Sequence, residues 1–490
     1  MAKIVMVGAG SVVFGRNLLA DILSHEALAE SEIVLVDIDS ERLATALGMA
    51  QSISASLGSR ARLSATKDRR RALAGADFVL CTIGVGGIAA TRDDLQIPLR
   101  FGVRQVVGDT LGVGGIFRSA RSIPHVLRLC ADMERLCPQA WLLNYTNPMA
   151  MHCLAIQRAT RVRCVGLCHG VVNTANTLRA MIALMDRPAR EITRHFQRPW
   201  GAPARTREWL AWMEMGKDPN LRYTCAGINH MAFFLRFESG GTDLYPRLRE
   251  LVRMPHLFRL DPVRLELFRW LGYFMTETAG HTAEYTPYFL KSEQETAARH
   301  LQAMLYLSTC RYQERAYSRL VRDIRAGAAL IPTPYVLSHE YASRIMNALV
   351  TGTTFAFNGN MHNRGGALIS NLPGDCCVEV PCVAGPEGIV PLPVGDLPPQ
   401  CAALIRTNVN VQDLTVRGIL EDSLDYLYQA AMLDPNTAST LTLGQIETLC
   451  DALVAAHRDR LSPRLRFRNW IRMNGHGRRT RTHQAGGVRS

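Results

Sequence analysis

The sequence predicts an α/β protein: an N-terminal, Rossmann-like doubly wound parallel sheet with a C-terminal α+β domain docked on it. Three observations predict it. The chain opens on a strand–glycine turn–helix–strand unit, short and almost wholly apolar strands then recur between helical stretches, and beyond about residue 176 that rhythm stops. Fully apolar strands alternating with helices belong to a parallel sheet covered on both faces.

The first unit runs from the buried strand Lys3-Ile-Val-Met-Val7 into Gly8-Ala-Gly10-Ser11, through a helix-compatible stretch from Arg16 to Leu28, to the strand Glu32-Ile-Val-Leu-Val-Asp37. Gly8 permits a tight turn, and Gly10 with Ser11 lets a pyrophosphate approach the backbone at a helix N-terminus. Asp37, closing the second strand, suits the ribose hydroxyls of NAD rather than the phosphate of NADP. The third glycine of the fingerprint is missing: Val13 stands there, with Gly15 two residues on.

Ala76–Ile83 is the next strand, ending in Gly84, Gly86 and Gly87. Ala140–Asn147 follows, closed by Pro148, and then Val162–Cys168. Ligands of such sheets sit beyond the carboxyl ends of the strands, which makes Asn147, Cys168 and His169 candidates by position. Residues 1–175 are therefore expected to form an NAD-binding domain, and 176–457 an α+β domain holding the other side of a cleft. An Arg-, Trp- and Pro-rich segment at about 187–222 reads as an insertion. Long helical stretches are expected around Glu293–Ala326 and Tyr341–Val350, a strand-rich patch over Thr354–Val383, and helices ending near His457.

Composition narrows the class. Hydrophobic residues make up 47% of the 490 and charged residues 20%, an ordinary globular balance. No apolar run is long enough to span a bilayer, and no secretory leader is expected. Thirteen cysteines without a repeating spacing imply a reducing, cytoplasmic setting rather than a disulfide framework. The net charge of +13 is concentrated at residues 458–490, which hold ten arginines and one acid. That stretch reads as a solvated, disordered tail rather than a nucleic-acid contact.

Several blocks carry a resemblance. They are Val7-Gly-Ala-Gly-Ser11, Gly108-Asp-Thr-Leu-Gly-Val-Gly-Gly-Ile-Phe-Arg118, Leu143-Asn-Tyr-Thr-Asn-Pro-Met149 and Gly166-Leu-Cys-His169. Ala226-Gly-Ile-Asn-His-Met-Ala-Phe233, Gly272-Tyr-Phe-Met-Thr-Glu277, Ala283-Glu-Tyr-Thr-Pro287, Asn371-Leu-Pro and Cys376-Cys-Val-Glu-Val380 follow, with Thr407-Asn-Val-Asn-Val411 and Asp434-Pro beyond. In this order they resemble glycoside hydrolase family 4, the NAD- and metal-dependent glycosidases, and are most similar to its α-galactosidase and α-glucosidase branch. The resemblance covers roughly residues 3–457, without the insertion.

It implies a lactate/malate dehydrogenase-like fold, a small α-glycoside as substrate, and a homo-oligomer (dimer or tetramer). It also implies Mn²⁺ or another divalent metal on Cys168 and His230, a site kept open by having two protein ligands. The implied chemistry is oxidation at C3, removal of the now acidic C2 proton, elimination of the C1 group, addition of water and re-reduction, outside the two-carboxylate scheme. Tyr285 matches the base of the phospho-glycosidase branches. Where those branches protonate the leaving group with an aspartate after the metal cysteine, this chain has His169. Asp109, Arg118 and Asn147 are expected to hold sugar hydroxyls and the nicotinamide end. The alternative for each of these three is a structural hydrogen bonder, and for Cys168 and His230 a buried cysteine at a strand end and a structural histidine.

The residue after Cys-His tracks the sugar in the family: serine in α-galactosidases, glutamate in α-glucosidases, glycine in α-glucuronidases. Gly170 here leaves space that a C6 carboxylate or another group could fill, and the Arg-rich insertion either supplies its counter-ion or covers an edge. The other blocks favour a galactoside. An α-glucuronidase, α-galacturonidase or α-glucosidase is the alternative within the family, and an NAD-dependent hydroxy-acid dehydrogenase the alternative outside it.

Overall fold

The computed structural model describes residues 1–11, 15–197, 203–215 and 217–466. Val13, part of the insertion (198–202 and 216) and the basic stretch 467–490 lie outside the described residues. Twelve strands form one sheet. They are β1 (Lys3–Val7), β2 (Glu32–Val36), β3 (Arg62–Thr66), β4 (Phe78–Cys81), β5 (Trp141–Asn144), β6 (Arg163–Leu167), β7 (Leu221–Ile228), β8 (Met231–Ser239), β9 (Thr242–Asp243), β10 (Phe355–His362), β11 (Cys377–Gly385) and β12 (Gly388–Pro391).

Across the sheet the order is β3-β2-β1-β4-β5-β6-β10-β11-β7-β8-β9, with β12 paired to β11. The first six are parallel in the doubly wound order. Their apolar residues are buried from both faces, β1 and β2 each showing four consecutive buried positions. Strand β3 has no counterpart in the sequence reading. Its residues Arg-Leu-Ser-Ala-Thr are exposed or half-buried, because a sheet-edge strand needs no apolar run.

The second half docks by strand pairing. β10 lies antiparallel to β6, Gly359 opposite Leu167 and Asn360 opposite Gly166, so the C-terminal strands extend the N-terminal sheet instead of forming their own. One apolar core accordingly runs from β1 through β11 to the C-terminal helices. A smaller core lies under the helix Gly170–Ala183, and the insertion contributes Ile192 and Trp212 to it from the helices Ala189–Gln197 and Pro203–Met215.

The helical stretch expected over Glu293–Ala326 is two helices, Glu293–Ala298 and Leu305–Arg325. His300 and Met304 take left-handed backbone between them, and the amides of Met304 and Tyr306 donate to the carbonyls of Gln105 and Val106. This tertiary tie overrides the helical pattern. The final helix ends at His457 as expected, where its imidazole joins the buried Asp94–Arg121 pair (2.8 Å to Asp94). The chain then stays packed further than expected, with Leu461 and Leu465 buried. All thirteen cysteines are free. Among the described residues no helix is long and apolar enough to cross a membrane.

Candidate active site

The turn after β1 is fixed by its backbone. The amides of Gly8 and Ala9 both donate to the Val36 carbonyl, and that of Ser11 to Gly8. Gly8 holds φ +86°, and a β-carbon there would lie 2.8 Å from the Thr82 carbonyl carbon, so no side chain fits. Asp37 Oδ2 accepts from the Gly10 amide at 2.8 Å, and Oδ1 from the Asp39 amide at 3.0 Å. The acid is thereby held beside the turn at the end of β2, where ribose hydroxyls would meet it.

Three strands across from β1, about 14 Å at the usual strand spacing, Cys168 follows β6 directly. His230 closes the two-residue hairpin between β7 and β8, where Ile228 faces Met231. It holds φ +62°, a conformation that histidine adopts more readily than most side chains. Its Nε2 lies 3.3 Å from Cys168 Sγ and its Nδ1 3.1 Å from the Tyr285 hydroxyl. A third donor completes the group: Glu277 Oε1 is 3.7 Å from Cys168 Sγ and 3.7 Å from His230 Nε2.

Burial pushes the Cys168 thiol well up, helped by the negative charges of Glu277 and Glu379. Burial likewise pushes His230 down to about 4, with His281 adding to the effect. A neutral imidazole, a carboxylate and a thiol facing one another in a nearly dry corner are donors suited to a divalent cation, whose charge would favour the thiolate.

The remaining expected residues gather around this corner. Asn147 Nδ2 donates to Asp109 Oδ2 (3.2 Å), and Arg118 Nε to the Asn147 carbonyl (3.3 Å). Tyr285 is fully buried, which lifts its hydroxyl well above the usual phenol range, with Asp109 and Glu284 adding to the shift. His169 is partly open, its side chain 40% exposed, and its Nδ1 lies 2.9 Å from Glu340 Oε1. That contact raises its proton affinity against the burial that lowers it.

Four residues received no role from the sequence. Glu277 ended one of the quoted blocks without a stated purpose, and nothing in its one-dimensional context marks it as facing Cys168. His281 joins Glu277 (3.7 Å) to Asp109 (3.6 Å). Burial opposes its charge, yet these two acids lift it to about 9. Glu284 accepts from the amides of Val107 and Gly108 and so sets the loop that carries Asp109. Glu340 holds His169. The reading of Gly170 as open space needs correction. A β-carbon there would lie 2.4 Å from Glu277 Oε1, so the volume left by the missing side chain is filled by that carboxylate.

The chain is similar to known proteins over most of its length. Residues 3–184 match the family model described as "Family 4 glycosyl hydrolase", and 225–437 match "Family 4 glycosyl hydrolase C-terminal domain". An α-galactosidase of Bacillus subtilis (strain 168) is 39% identical over 464 residues, covering 94% of this chain and 99% of its own. An α-galactosidase of Rhizobium meliloti (strain 1021) is 32% identical over 470 residues, covering 93% and 88%. The crystal structure of a 6-phospho-α-glucosidase from gut microorganisms in complex with NAD and Mn²⁺ has the same fold, with a TM-score of 0.73, 20% identity, and 94% and 98% of the two chains covered. With two matched domains and relatives spanning nearly its whole length, the chain belongs to family 4 of the glycosyl hydrolases.

Proposed function

We propose that the protein is an NAD- and Mn²⁺-dependent α-glycosidase whose substrates are α-galactosides. One observation carries the reading: a thiol, an imidazole and a buried tyrosine meet at strand ends in line with a glycine turn and its acid. Cys168 and His230 would hold the ion, and Gly8, Gly10, Ser11 and Asp37 the dinucleotide. When bound, NAD and the ion supply a hydride acceptor and a Lewis acid, the pairing that makes a sugar C2 proton removable once C3 is oxidised.

The chain's own groups then divide the remaining work. With Nε2 turned to Cys168, His230 carries its proton on Nδ1 and donates it to the Tyr285 oxygen, which favours the phenolate that takes the C2 proton. His169, steadied by Glu340 and partly open to solvent, gives its proton to the departing C1 oxygen. Asp109, Arg118 and Asn147 fix the sugar hydroxyls, with Asp109 itself oriented by Asn147 and His281. The Glu277 carboxylate against Gly170 fills the space that a uronide's C6 carboxylate would need there, which supports a neutral galactoside. Relatives of the galactosidase branch, similar over almost the full chain, support the same sugar.

A panel of nitrophenyl α-glycosides, with NAD and Mn²⁺ each added or withheld, tests the reading. The galactoside should be cleaved only with both present, and product formed in D₂O should carry deuterium at C2. Full turnover by NAD-stripped protein would overturn it, and net NADH formation from a hydroxy acid would favour a dehydrogenase instead. We also read the protein as a cytoplasmic homo-oligomer, a dimer or tetramer. Its free cysteines support the compartment, and light scattering after size exclusion tests the assembly.

A further inference from the structure

We propose that Glu277 is a third protein ligand of the divalent ion and that Gly170 is the residue that makes room for it. The inference rests on the Cys168/His230 metal reading above and extends it. The three donor atoms form a triangle with edges of 3.3, 3.7 and 3.7 Å. Donors bound about 2.0–2.3 Å from one ion stand about 3 Å apart at right angles and about 3.5 Å apart at tetrahedral angles. The triangle is therefore of the size that three ligands of one ion would make.

The backbone is arranged to hold this carboxylate in place. Residues 274–276 pair with β8, the Phe234 amide donating to the Phe274 carbonyl and the Thr276 amide to Ala232, which sets Glu277 beside the His230 hairpin. Glu277 itself sits at φ +69°, a conformation costly for a glutamate and found mainly where function requires it. Its amide donates to Thr174 Oγ1 (3.0 Å), and its carbonyl accepts from the buried Arg264 guanidinium. Arg264 is anchored in turn by Asp261 (2.6 Å). Both sides of an unfavourable residue are thus fixed by partners outside the corner.

Gly170 completes the case. Its missing side chain leaves the room that the carboxylate occupies beside Cys168 and His230, since a β-carbon would overlap Oε1 and approach Cγ at 2.9 Å. Oε2 is free to face His281 (3.7 Å), the second partner that a ligating carboxylate usually has. Chemically, thiolate plus carboxylate neutralise a divalent ion, and an oxygen donor moves a cysteine–histidine pair towards harder ions such as Mn²⁺.

Mn²⁺ binding to the full chain, followed by electron paramagnetic resonance, tests this without any turnover. Glu277→Gln should weaken Mn²⁺ by at least about tenfold, as changes at metal sites commonly do by ten- to a hundredfold. Gly170→Ala should weaken it in the same direction although alanine offers no ligand, and the double variant should be no worse than Glu277→Gln alone, because both remove one interaction. With Co²⁺ as probe, Glu277→Gln should keep the sulfur-to-metal charge-transfer band and change the ligand-field bands, which also shows that the corner is folded. Wild-type Mn²⁺ affinity in Glu277→Gln, even with a raised KM, would overturn the proposal and leave Glu277 a substrate contact. If Cys168→Ser and His230→Ala bind Mn²⁺ as wild type does, the metal reading itself fails.

Discussion

The two ends of the proposed site are built in opposite ways. The dinucleotide end uses residues from 8 to 39, and its contacts are mostly backbone: amides to the Val36 carbonyl, a carboxylate to the Gly10 amide, a helix cap at Asp39. The metal end brings together Cys168, His230 and Glu277, the outer two separated by 109 positions, and its contacts are side chain to side chain. The first end spends no strain, since glycine takes the left-handed position. At the second, a histidine and a glutamate take it at +62° and +69°. Conformations of that kind cost on the order of 1–3 kcal/mol each and persist only where the surroundings over-determine them. A turn that must fit one cofactor can be written locally, while a corner that must converge on one small ion needs the whole sheet to aim its parts.

The sharpest test of this contrast is Tyr285→Phe. It removes one oxygen from the metal end and leaves the ring packing intact. Turnover should fall by about two to four orders of magnitude, the usual contribution of a positioned acid or base, with NAD and Mn²⁺ affinities within a factor of two of wild type. Steady-state rates beside two binding titrations check it. A loss below tenfold would show that another group moves the C2 proton, and His169 would be examined first.

Gly8→Ala probes the other end through its backbone. The added methyl must meet the Thr82 carbonyl at about 2.8 Å with φ at +86°, and neither backbone segment can give way cheaply inside a parallel sheet. The expected cost is about 1–3 kcal/mol of stability, read as a lowered denaturation midpoint, together with weaker NAD binding and unchanged Mn²⁺ affinity. An unaltered midpoint would mean that the turn is softer than its contacts imply.

This division also decides what could be read from the sequence. The parallel strands, the turn and Asp37 were legible because apolar runs and a glycine fingerprint are local signals. Cys168 and His230 became legible only through ordered blocks resembling a family, since a lone cysteine at a strand end reads equally well as core. Glu277 stood in one of those blocks, yet its partners His230 and Gly170 lie 47 and 107 positions away along the chain, and no periodicity encodes that meeting. The edge strand β3 and the interruption at His300–Met304 escaped for the same reason. One is polar because only one of its sides is paired, and the other is imposed by carbonyls of residues 105 and 106.

Asp37→Ala should have a narrower effect than either change above, confined to NAD binding and purely thermodynamic. Losing a charged acceptor for ribose hydroxyls costs about 1–3 kcal/mol of NAD affinity. Turnover at saturating NAD should stay within a few-fold of wild type, because the acid, at the end of β2, lies four strands from Cys168 at the end of β6. Isothermal titration of NAD alongside kcat separates the two. A collapse of kcat at saturation would mean that the turn and the corner are coupled through the sheet rather than independent.

Asp39→Ala carries the least expected change and isolates the last ambiguity at the dinucleotide end. Asp39 Oδ1 accepts from the amides of Glu41 (2.9 Å) and Arg42 (3.1 Å), capping the helix Ser40–Leu57 two residues after Asp37. Only the side chain is lost in the variant, so the Asp39 amide still donates to Asp37 Oδ1 and the acid keeps its place. Removing such a cap costs about 0.5–2 kcal/mol of stability, while NAD affinity should move by less than a factor of two. Measured beside Asp37→Ala, the pair assigns one acid to the fold and the other to the cofactor. If Asp39→Ala weakened NAD as much as Asp37→Ala, the two carboxylates would act as one unit. The helix N-terminus they share, rather than Asp37 alone, would then be what meets the ribose.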